Sequence, residues 1–345
     1  MTSRVQLAAV GAGIVVLAAA AFFLLSGRAP DLPGVPALGA PPTCPLSGEK
    51  PRSEELLDRP AVAIKVENTE VAYPLAGLEK AEVVYEELVE GGITRFLAIY
   101  QCNDSDKVGP VRSAREVDPT IMTPTTRILG FSGANEPVLK ALEAADIVQV
   151  TESAAGGAMR RVPRPGLASE HTLYADTAKV RKIGAKKFSD APPGDIYETG
   201  DLPKGAKKAG SIEINFSSST AITYRFKSGR YLRTQNGAPF ETESQGQLEV
   251  DNVLIEEHDI ELSTKIRDVA GNPSVVIADP TGQGRAVLFR DGRAVEGRWR
   301  RESAEAPVSF ETKQGDKMLF APGSIWIHLV PSEKGEVKGS FDYAK

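Results

Sequence analysis

Residues 81–101 read AEVVYEELVEGGITRFLAIYQ, and this stretch decides the first part of the fold. Its two halves, residues 81–89 and 93–101, are rich in β-branched and aromatic residues, and Gly91-Gly92 lies between them. Two such runs on either side of a glycine pair predict two strands joined by a turn.

The sequence around this pair alternates between strand-like and helix-like segments. Residues 59–66 (RPAVAIKV) predict an earlier strand, and residues 128–132 and 147–151 predict later ones. Helices are predicted over residues 113–122, 135–145 and 176–187, the second with Asn135 as its N-cap and Pro137 in its first turn. Strands that alternate with helices indicate an α/β domain, which we place at residues 44–188.

The pattern changes after residue 188. Residues 189–210 (SDAPPGDIYETGDLPKGAKKAG) predict a linker or long loop. No helical periodicity follows, and Asp291-Gly292 predicts a type I′ hairpin turn. Short strands are predicted over residues 211–216, 221–226, 231–234, 247–256, 274–277, 285–289, 294–300, 308–311 and 325–330. The overall fold class is therefore α+β, with a mostly antiparallel β domain over residues 211–332 and a polar C-terminal tail over residues 333–345.

The N-terminus predicts a membrane anchor, which we place at residues 1–28. Residues 7–25 (LAAVGAGIVVLAAAAFFLL) carry no charge, and as a helix they would extend about 28 Å, close to the thickness of the bilayer core. The alternative is a cleaved signal peptide, although its apolar part is usually shorter and no small-x-small cleavage site follows. Residues 29–43 are rich in Pro, Gly and Ala and predict a semi-stiff stalk. A single N-terminal span places the folded part on the extracytoplasmic side of the cell membrane, or in the medium if the segment is cleaved.

Composition narrows the classes of function. Cys44 and Cys102 are the two cysteines, and in an exported chain they predict one disulfide bond, with two unpaired thiols as the alternative. Two cysteines and three scattered histidines predict no metal site, and no motif indicates a cofactor. A net charge of −5 without a Lys/Arg block argues against nucleic acid as a partner.

Several long segments resemble the YerB-like family, known as domain of unknown function 3048. These are CPLSG from Cys44, RPAVAIKVEN, GLEKAEVVYEELVEGGITRFLAIYQ and VGPVRSAR, and later GQLEVDNVLI, GQGRAVLFRDGRAVEGRW and APGSIWIHLVP. The resemblance covers roughly residues 44–332. It implies an extracytoplasmic protein of two domains, a lipoprotein in many members, and it brings no established activity. This chain has no lipobox, so the predicted span would provide its attachment.

The first candidate site is the turn that follows residues 81–89. In a continuous strand Glu86 and Glu90 would share one face and Glu87 the other, and Arg95 could pair with one of them across the turn. Such a cluster predicts a structural ion pair, a substrate-binding or acid–base carboxylate, or a cation site.

The second candidate lies in residues 109–115 (GPVRSAR), where a turn is expected to lead into a helix. Free backbone N–H groups at a helix start, with Arg112, Ser113 and Arg115 beside them, predict a ligand-binding site for an anion. The alternative is that the arginines pair with neighbouring acidic residues.

Three hypotheses of function follow. The leading one is a non-catalytic envelope protein that binds an anionic ligand or an envelope protein through Arg95, Arg112, Ser113 and Arg115. The second is a hydrolase or transferase of cell-wall or surface polymers, with His171 and Glu86 or Glu90 as acid and base. The third is a scaffold that docks an envelope protein through its β domain.

Overall fold

The computed structural model describes residues 41–268, 271–278 and 280–345, and residues 43–345 form one compact unit. No helix in these ranges is long and apolar enough to cross a membrane. The predicted span (residues 7–25) and most of the predicted stalk lie outside the described residues.

The first half of the unit alternates strands and helices, as predicted. Its strands are β1 (Val62–Asn68), β2 (Val83–Leu88), β3 (Thr94–Tyr100), β4 (Ile128–Phe131), β5 (Val148–Thr151), β6 (Met159–Arg161) and β7 (Leu173–Ala175). Its helices are α1 (Asp118–Met122), α2 (Glu136–Ala144) and α3 (Thr177–Gly184). Asn135 caps α2 by accepting from the Val138 amide at 3.3 Å, as the sequence predicts.

The second half contains strands and no helix among its described residues, which confirms its predicted β character. The strands are β8 (Lys207–Lys208), β9 (Ser211–Ser217), β10 (Thr220–Lys227), β11 (Arg230–Gln235), β12 (Ala238–Pro239), β13 (Glu241–Thr242), β14 (Gly246–Gln247), β15 (Glu249–Val250), β16 (Asn252–His258), β17 (Ile260–Arg267), β18 (Pro273–Ile277), β19 (Gly282–Arg290), β20 (Arg293–Arg301), β21 (Ser309–Thr312), β22 (Ile325–Pro331) and β23 (Ser340–Ala344). Asp291 and Gly292 have φ of 52° and 67°, so the predicted hairpin turn is confirmed between β19 and β20. The predicted polar tail ends in β23, which pairs with β9.

One mixed sheet contains strands from both halves. Its order is β21-β20-β19-β16-β22-β2-β3-β1-β4-β5, with β8 beside β20. Strand β2 pairs in parallel with β22 and antiparallel with β3, so the strand pair of residues 81–101 lies at the centre of the sheet. The predicted domain boundaries stay a prediction, and the two halves share this sheet.

The two faces of the central sheet are covered by different elements. One face packs against the smaller sheet β12-β11-β10-β9-β23, with Phe96 and Trp326 contributing to the core. The other face packs against α1 and α2 and contains Tyr85 and Leu97. Because side chains alternate along a strand, neighbouring residues of β2 and β3 enter two separate cores.

Candidate functional site

The strand β2 sends its two glutamates to opposite faces of the sheet. Glu86 is paired in register with Phe96, and Glu87 with Arg95. The strand ends at Leu88, and Gly91 and Gly92 then adopt φ of 77° and 75°. The expectation that Glu86 and Glu90 share a face is therefore wrong, because the chain leaves the strand geometry before it reaches Glu90.

Glu86 lies in a fully buried ion pair with Arg233. The Arg233 Nη1 and Nη2 atoms donate to the two Glu86 carboxylate oxygens at 2.8 and 3.0 Å, and both side chains are 0% exposed. Burial alone would raise the pKa of Glu86, but Arg233 and His328 outweigh burial and lower that pKa to about 2. The pair joins the two halves of the chain across 147 residues.

Neighbouring side chains form hydrogen bonds with most polar atoms of Glu86 and Arg233. Thr94 Oγ1 donates to Glu86 at 2.7 Å, and Arg233 also donates to Gln235 at 2.7 Å and to Tyr224 at 3.1 Å. The aromatic rings of Phe96, Tyr224, Phe240 and Trp326 lie 4.6–5.8 Å from the guanidinium carbon. A dry, hydrogen-bonded charge pair of this kind stabilises one arrangement of the core, so Glu86 has a structural role. Without solvent access it cannot act as the acid or base partner of His171.

The other face of the sheet carries a second set of charged groups, beginning with Lys65. Its ammonium group is 0% exposed, donates to Asp118 at 2.6 Å and pairs with Glu87. Burial is the main cause that raises the pKa of Glu87 to about 7, against the opposing effect of Lys65. A small cavity of roughly 10 Å³ lies between Glu87 and Arg115, enough for about one water molecule.

Two arginines meet at the carbonyl oxygen of Ser113. Arg95 Nη1 donates to this oxygen at 3.1 Å and Arg115 Nη1 donates to it at 3.3 Å. Arg115 is neutralised by Glu90, to which its Nε donates at 3.0 Å, and Ser274 Oγ donates to the same carboxylate at 2.8 Å. Although burial opposes it, Arg115 holds the pKa of Glu90 below its ordinary value.

Arg95 differs from Arg115 because none of the described carboxylates forms a salt bridge with it. Burial and the neighbouring charges of Arg115 and Arg112 lower the pKa of Arg95 to about 10, against the opposing effect of Glu90 and Glu87. The Ser113 hydroxyl beside it has no hydrogen-bond partner in the described ranges. The predicted pairing of Arg95 with a glutamate is therefore absent from the described structure.

Arg112 and His171 converge on a third carboxylate, Glu67. His171 Nδ1 lies 2.9 Å from both Glu67 carboxylate oxygens, and Arg112 Nε lies 3.6 Å from one of them. Thr69 Oγ1 donates to Glu67 at 2.6 Å, and Arg112 Nη1 donates to the Glu170 carbonyl at 3.2 Å. Glu67 is 1% exposed and occupies the end of β1, so it holds both cationic side chains against the sheet.

The segment with Arg112 is not the helix start that the sequence predicts. The Arg112 amide donates to Lys65 O at 2.9 Å and the Ala114 amide donates to Gly133 O at 3.0 Å, so the segment runs across the ends of β1 and β4. Helix α1 begins at Asp118, with Pro119 in its first turn. The helix-start argument for an anion site is thus wrong, and the side chains alone remain as evidence.

The structure therefore brings together most of the predicted site residues on one face, at the carboxyl ends of the parallel strands β1 and β4. This group consists of Arg95, Arg112, Ser113, Arg115, Glu90 and His171, and we call it the arginine site. Glu86 lies on the other face. The prediction did not include Lys65 and Glu67, although two charged residues two apart in the apolar run RPAVAIKVEN indicate a shared face. Asp118 is one of the neighbouring acidic residues of the alternative prediction, and it accepts a hydrogen bond from the Arg115 amide at 2.7 Å.

The two cysteines and the aromatic residues have structural roles. Cys44 and Cys102 form a disulfide bond, as predicted. Trp299, Trp326 and Tyr224 are at most 3% exposed and belong to the core. Within the described ranges, the exposed large hydrophobic residues are Val71 and Leu139, neither of them in the predicted β domain. In the same ranges, no group of three or more His, Cys, Asp or Glu side chains is arranged to hold a metal ion.

The fold and these contacts define a class: a mixed-sheet protein with one sealed charge network and one arginine site at the edge of its parallel strands. The chain belongs to the YerB-like DUF3048 family. The family's N-terminal domain, described as "Protein of unknown function (DUF3048)", matches residues 46–190, and its C-terminal domain matches residues 212–327.

A curated relative and a solved structure support this assignment. The chain is 29% identical over 319 residues to "Putative lipoprotein YerB" of Bacillus subtilis (strain 168), covering 90% of this chain and 92% of that protein. It is also similar to the crystal structure of YerB from Bacillus subtilis, with a TM-score of 0.71 and 25% identity over 87% of this chain and 99% of that one.

Proposed function

We propose that this protein is held at the outer face of the cell membrane and binds an anionic envelope ligand at the arginine site. Arg95 and Arg112 would contact the anion, and the Ser113 hydroxyl would donate a further hydrogen bond. Arg115 would position Arg95 through their shared contact with the Ser113 carbonyl.

The observation that carries the proposal is that Arg95 forms no salt bridge with a described carboxylate. Glu90 forms an ion pair with Arg115, Glu67 with Arg112, and both Asp118 and Glu87 with Lys65. A partly buried guanidinium that donates only to a carbonyl oxygen in the described structure is stabilised when an anion binds to it. The position of the site at the carboxyl ends of parallel strands is also typical of ligand sites in α/β proteins.

The envelope location rests on separate evidence. Residues 7–25 have the length and apolarity of a membrane span, and a disulfide bond is typical of proteins outside the cytoplasm. The similar protein of Bacillus subtilis is named "Putative lipoprotein YerB", and lipoproteins are proteins of the cell envelope. Of the two alternative hypotheses, the scaffold lacks an apolar patch on the described β strands, and the pairing of His171 with Glu86 or Glu90 is absent from the described structure.

A thermal-shift experiment tests the proposal on the full-length protein in a neutral detergent. Dimethyl phosphate, glycerol 3-phosphate and acetate would each be compared with sodium chloride at equal ionic strength. A ligand that binds the native state raises the melting temperature by mass action. We expect at least one of the three anions to do so.

Two variants localise the effect. Arg95→Gln removes charged hydrogen bonds to the anion, which are worth about 1.5–3 kcal/mol, so affinity should fall roughly 10- to 100-fold. Arg298→Gln is the matched control, because Arg298 pairs with Glu311 at the protein surface on a distant strand. An equal shift in wild type and Arg95→Gln, or no shift beyond that of chloride, would contradict the proposal.

A further inference from the structure

We propose that the arginine site is catalytic, and that His171, positioned by Glu67, acts as the general base in the hydrolysis of a phosphodiester. This inference rests on the proposed function, because Arg95 and Arg112 must first bind the phosphate group. In this inference Glu67 takes the place of Glu86 and Glu90, the carboxylates predicted from the sequence.

The geometry of the His171 ring carries the first step. A buried carboxylate 2.9 Å from Nδ1 places the ring proton on Nδ1, and the lone pair of Nε2 then points away from Glu67. No described residue forms a hydrogen bond with Nε2, and the side chain is 14% exposed. A histidine held in this way is ready to accept a proton from a water molecule at the site.

Glu67 itself is well anchored, so it can hold the ring in one orientation. It is 1% exposed, it follows the apolar run of β1, and Thr69 fixes one of its oxygens. Arg112 shares this carboxylate, so the bound phosphate and the imidazole are brought to the same edge of the sheet.

The free arginine of the site favours one class of substrate. Arg95 is the one arginine of the site without a salt bridge to a described carboxylate, so it can bind a group with one negative charge without breaking an internal ion pair. A phosphodiester carries one such charge, and guanidinium groups match its two non-bridging oxygens. A phosphomonoester carries nearly two charges at neutral pH and fits less well.

The proposed reaction is a displacement by water at phosphorus. Nε2 of His171 takes a proton from the water as its oxygen forms a bond to phosphorus, and the bond to one ester oxygen breaks. The proton on Nε2 then passes to the departing oxygen. One diester and one water thus give one alcohol and one phosphomonoester, and the imidazole returns to its starting state. Arg95 and Arg112 stabilise the charge that develops on the non-bridging oxygens.

The test uses full-length protein with bis(4-nitrophenyl) phosphate, and the release of 4-nitrophenolate measures turnover. His171→Gln should lower kcat by about 100-fold or more, as expected when a general base is lost, with little change in KM. Glu67→Gln should lower kcat roughly 10- to 100-fold with KM unchanged or lower, because it misorients the ring and frees Arg112. Glu152→Gln is the control, since Glu152 lies in an exposed ion pair with Arg161.

The outcomes separate this inference from the proposed function. Circular dichroism melts establish that each variant is folded, and dimethyl phosphate binding is measured alongside turnover. Wild-type protein that binds dimethyl phosphate but does not hydrolyse the diester overturns the catalytic inference and leaves the binding function intact. Turnover that survives in folded His171→Gln also overturns it. A folded wild type that does not hydrolyse the diester and binds none of dimethyl phosphate, glycerol 3-phosphate and acetate overturns both.

Discussion

The substitution Glu86→Gln should destabilise the folded protein by about 3–5 kcal/mol at pH 7, because it leaves the buried guanidinium of Arg233 without its counter-charge. The pKa shift of Glu86 gives a similar loss of stability. The pKa of Glu86 is lowered from 4.5 to about 2, and a shift of that size corresponds to roughly 3 kcal/mol of stability.

The pH dependence follows from the sign of this shift. A carboxyl group whose pKa is lower in the folded state contributes its full stabilisation above its unfolded pKa. The contribution is lost as pH falls through 4.5 towards 2, because the unfolded state then takes up a proton that the native carboxylate does not. The difference between wild type and Glu86→Gln should therefore be large at pH 7 and clearly smaller at pH 3.

Urea unfolding of the full-length protein, followed by tryptophan fluorescence, measures the stability difference between wild type and Glu86→Gln at pH 7 and at pH 3. Trp326 lies 5.2 Å from the Arg233 guanidinium carbon and reports directly on this core. Glu136→Gln is the control, because Glu136 forms an exposed helical pair with Lys140 and should change stability by no more than about 0.5 kcal/mol. A loss below about 1 kcal/mol for Glu86→Gln at pH 7 would refute the reasoning, as would an equal loss at pH 3.

Other features of the fold give predictions of comparable size. Lys65→Met should lower the free energy of unfolding by about 3 kcal/mol at pH 8, because Asp118 and Glu87 both lose their cation. The loss should be smaller at pH 5.5, where Glu87, with a pKa of about 7, is protonated and needs no cation. Urea unfolding at the two pH values measures the difference, and an equal loss at both would contradict the prediction. Reduction of Cys44–Cys102, which closes a loop across 58 positions, should cost roughly 4 kcal/mol by the chain-entropy argument, and an unchanged urea midpoint in reductant would refute it. Gly297→Ala should destabilise the protein by more than about 2 kcal/mol, because the new Cβ would lie 1.9 Å from a carbonyl oxygen of β21. An unchanged melting temperature would show that β20 and β21 can move apart without cost, and would contradict the prediction.

The sequence predicted those features of the fold that depend on neighbouring residues. The turn at Gly91-Gly92 and the cap at Asn135 follow from local chemistry, and both are present. The same holds for the strand character after residue 210. The shared central sheet was not predicted, because the pairing of β2 with β22 joins residues more than 200 positions apart. Neither spacing nor periodicity carries information about such a contact.

The arginine site was predicted in part for the same reason. Arg112 and Arg115 stand out within one short motif, but this motif forms an extended segment beside β1 instead of a helix start, because the amides of Arg112 and Ala114 donate to the carbonyl oxygens of Lys65 and Gly133. Alternation correctly separated Glu86 from Glu87 and failed at Glu90, where the glycine turn ends the strand. Glu67 and His171 are 104 positions apart, so their contact appears only once the chain has folded.

A crystal structure of the protein soaked with dimethyl phosphate tests the central claim most directly. We predict phosphorus density within about 4 Å of the guanidinium groups of Arg95 and Arg112, the distance of charge-assisted hydrogen bonding. The described structure also offers an open groove of about 450 Å³ lined by Lys204, Lys207 and Lys313. Phosphate bound in that groove and absent from the arginine site would contradict the account.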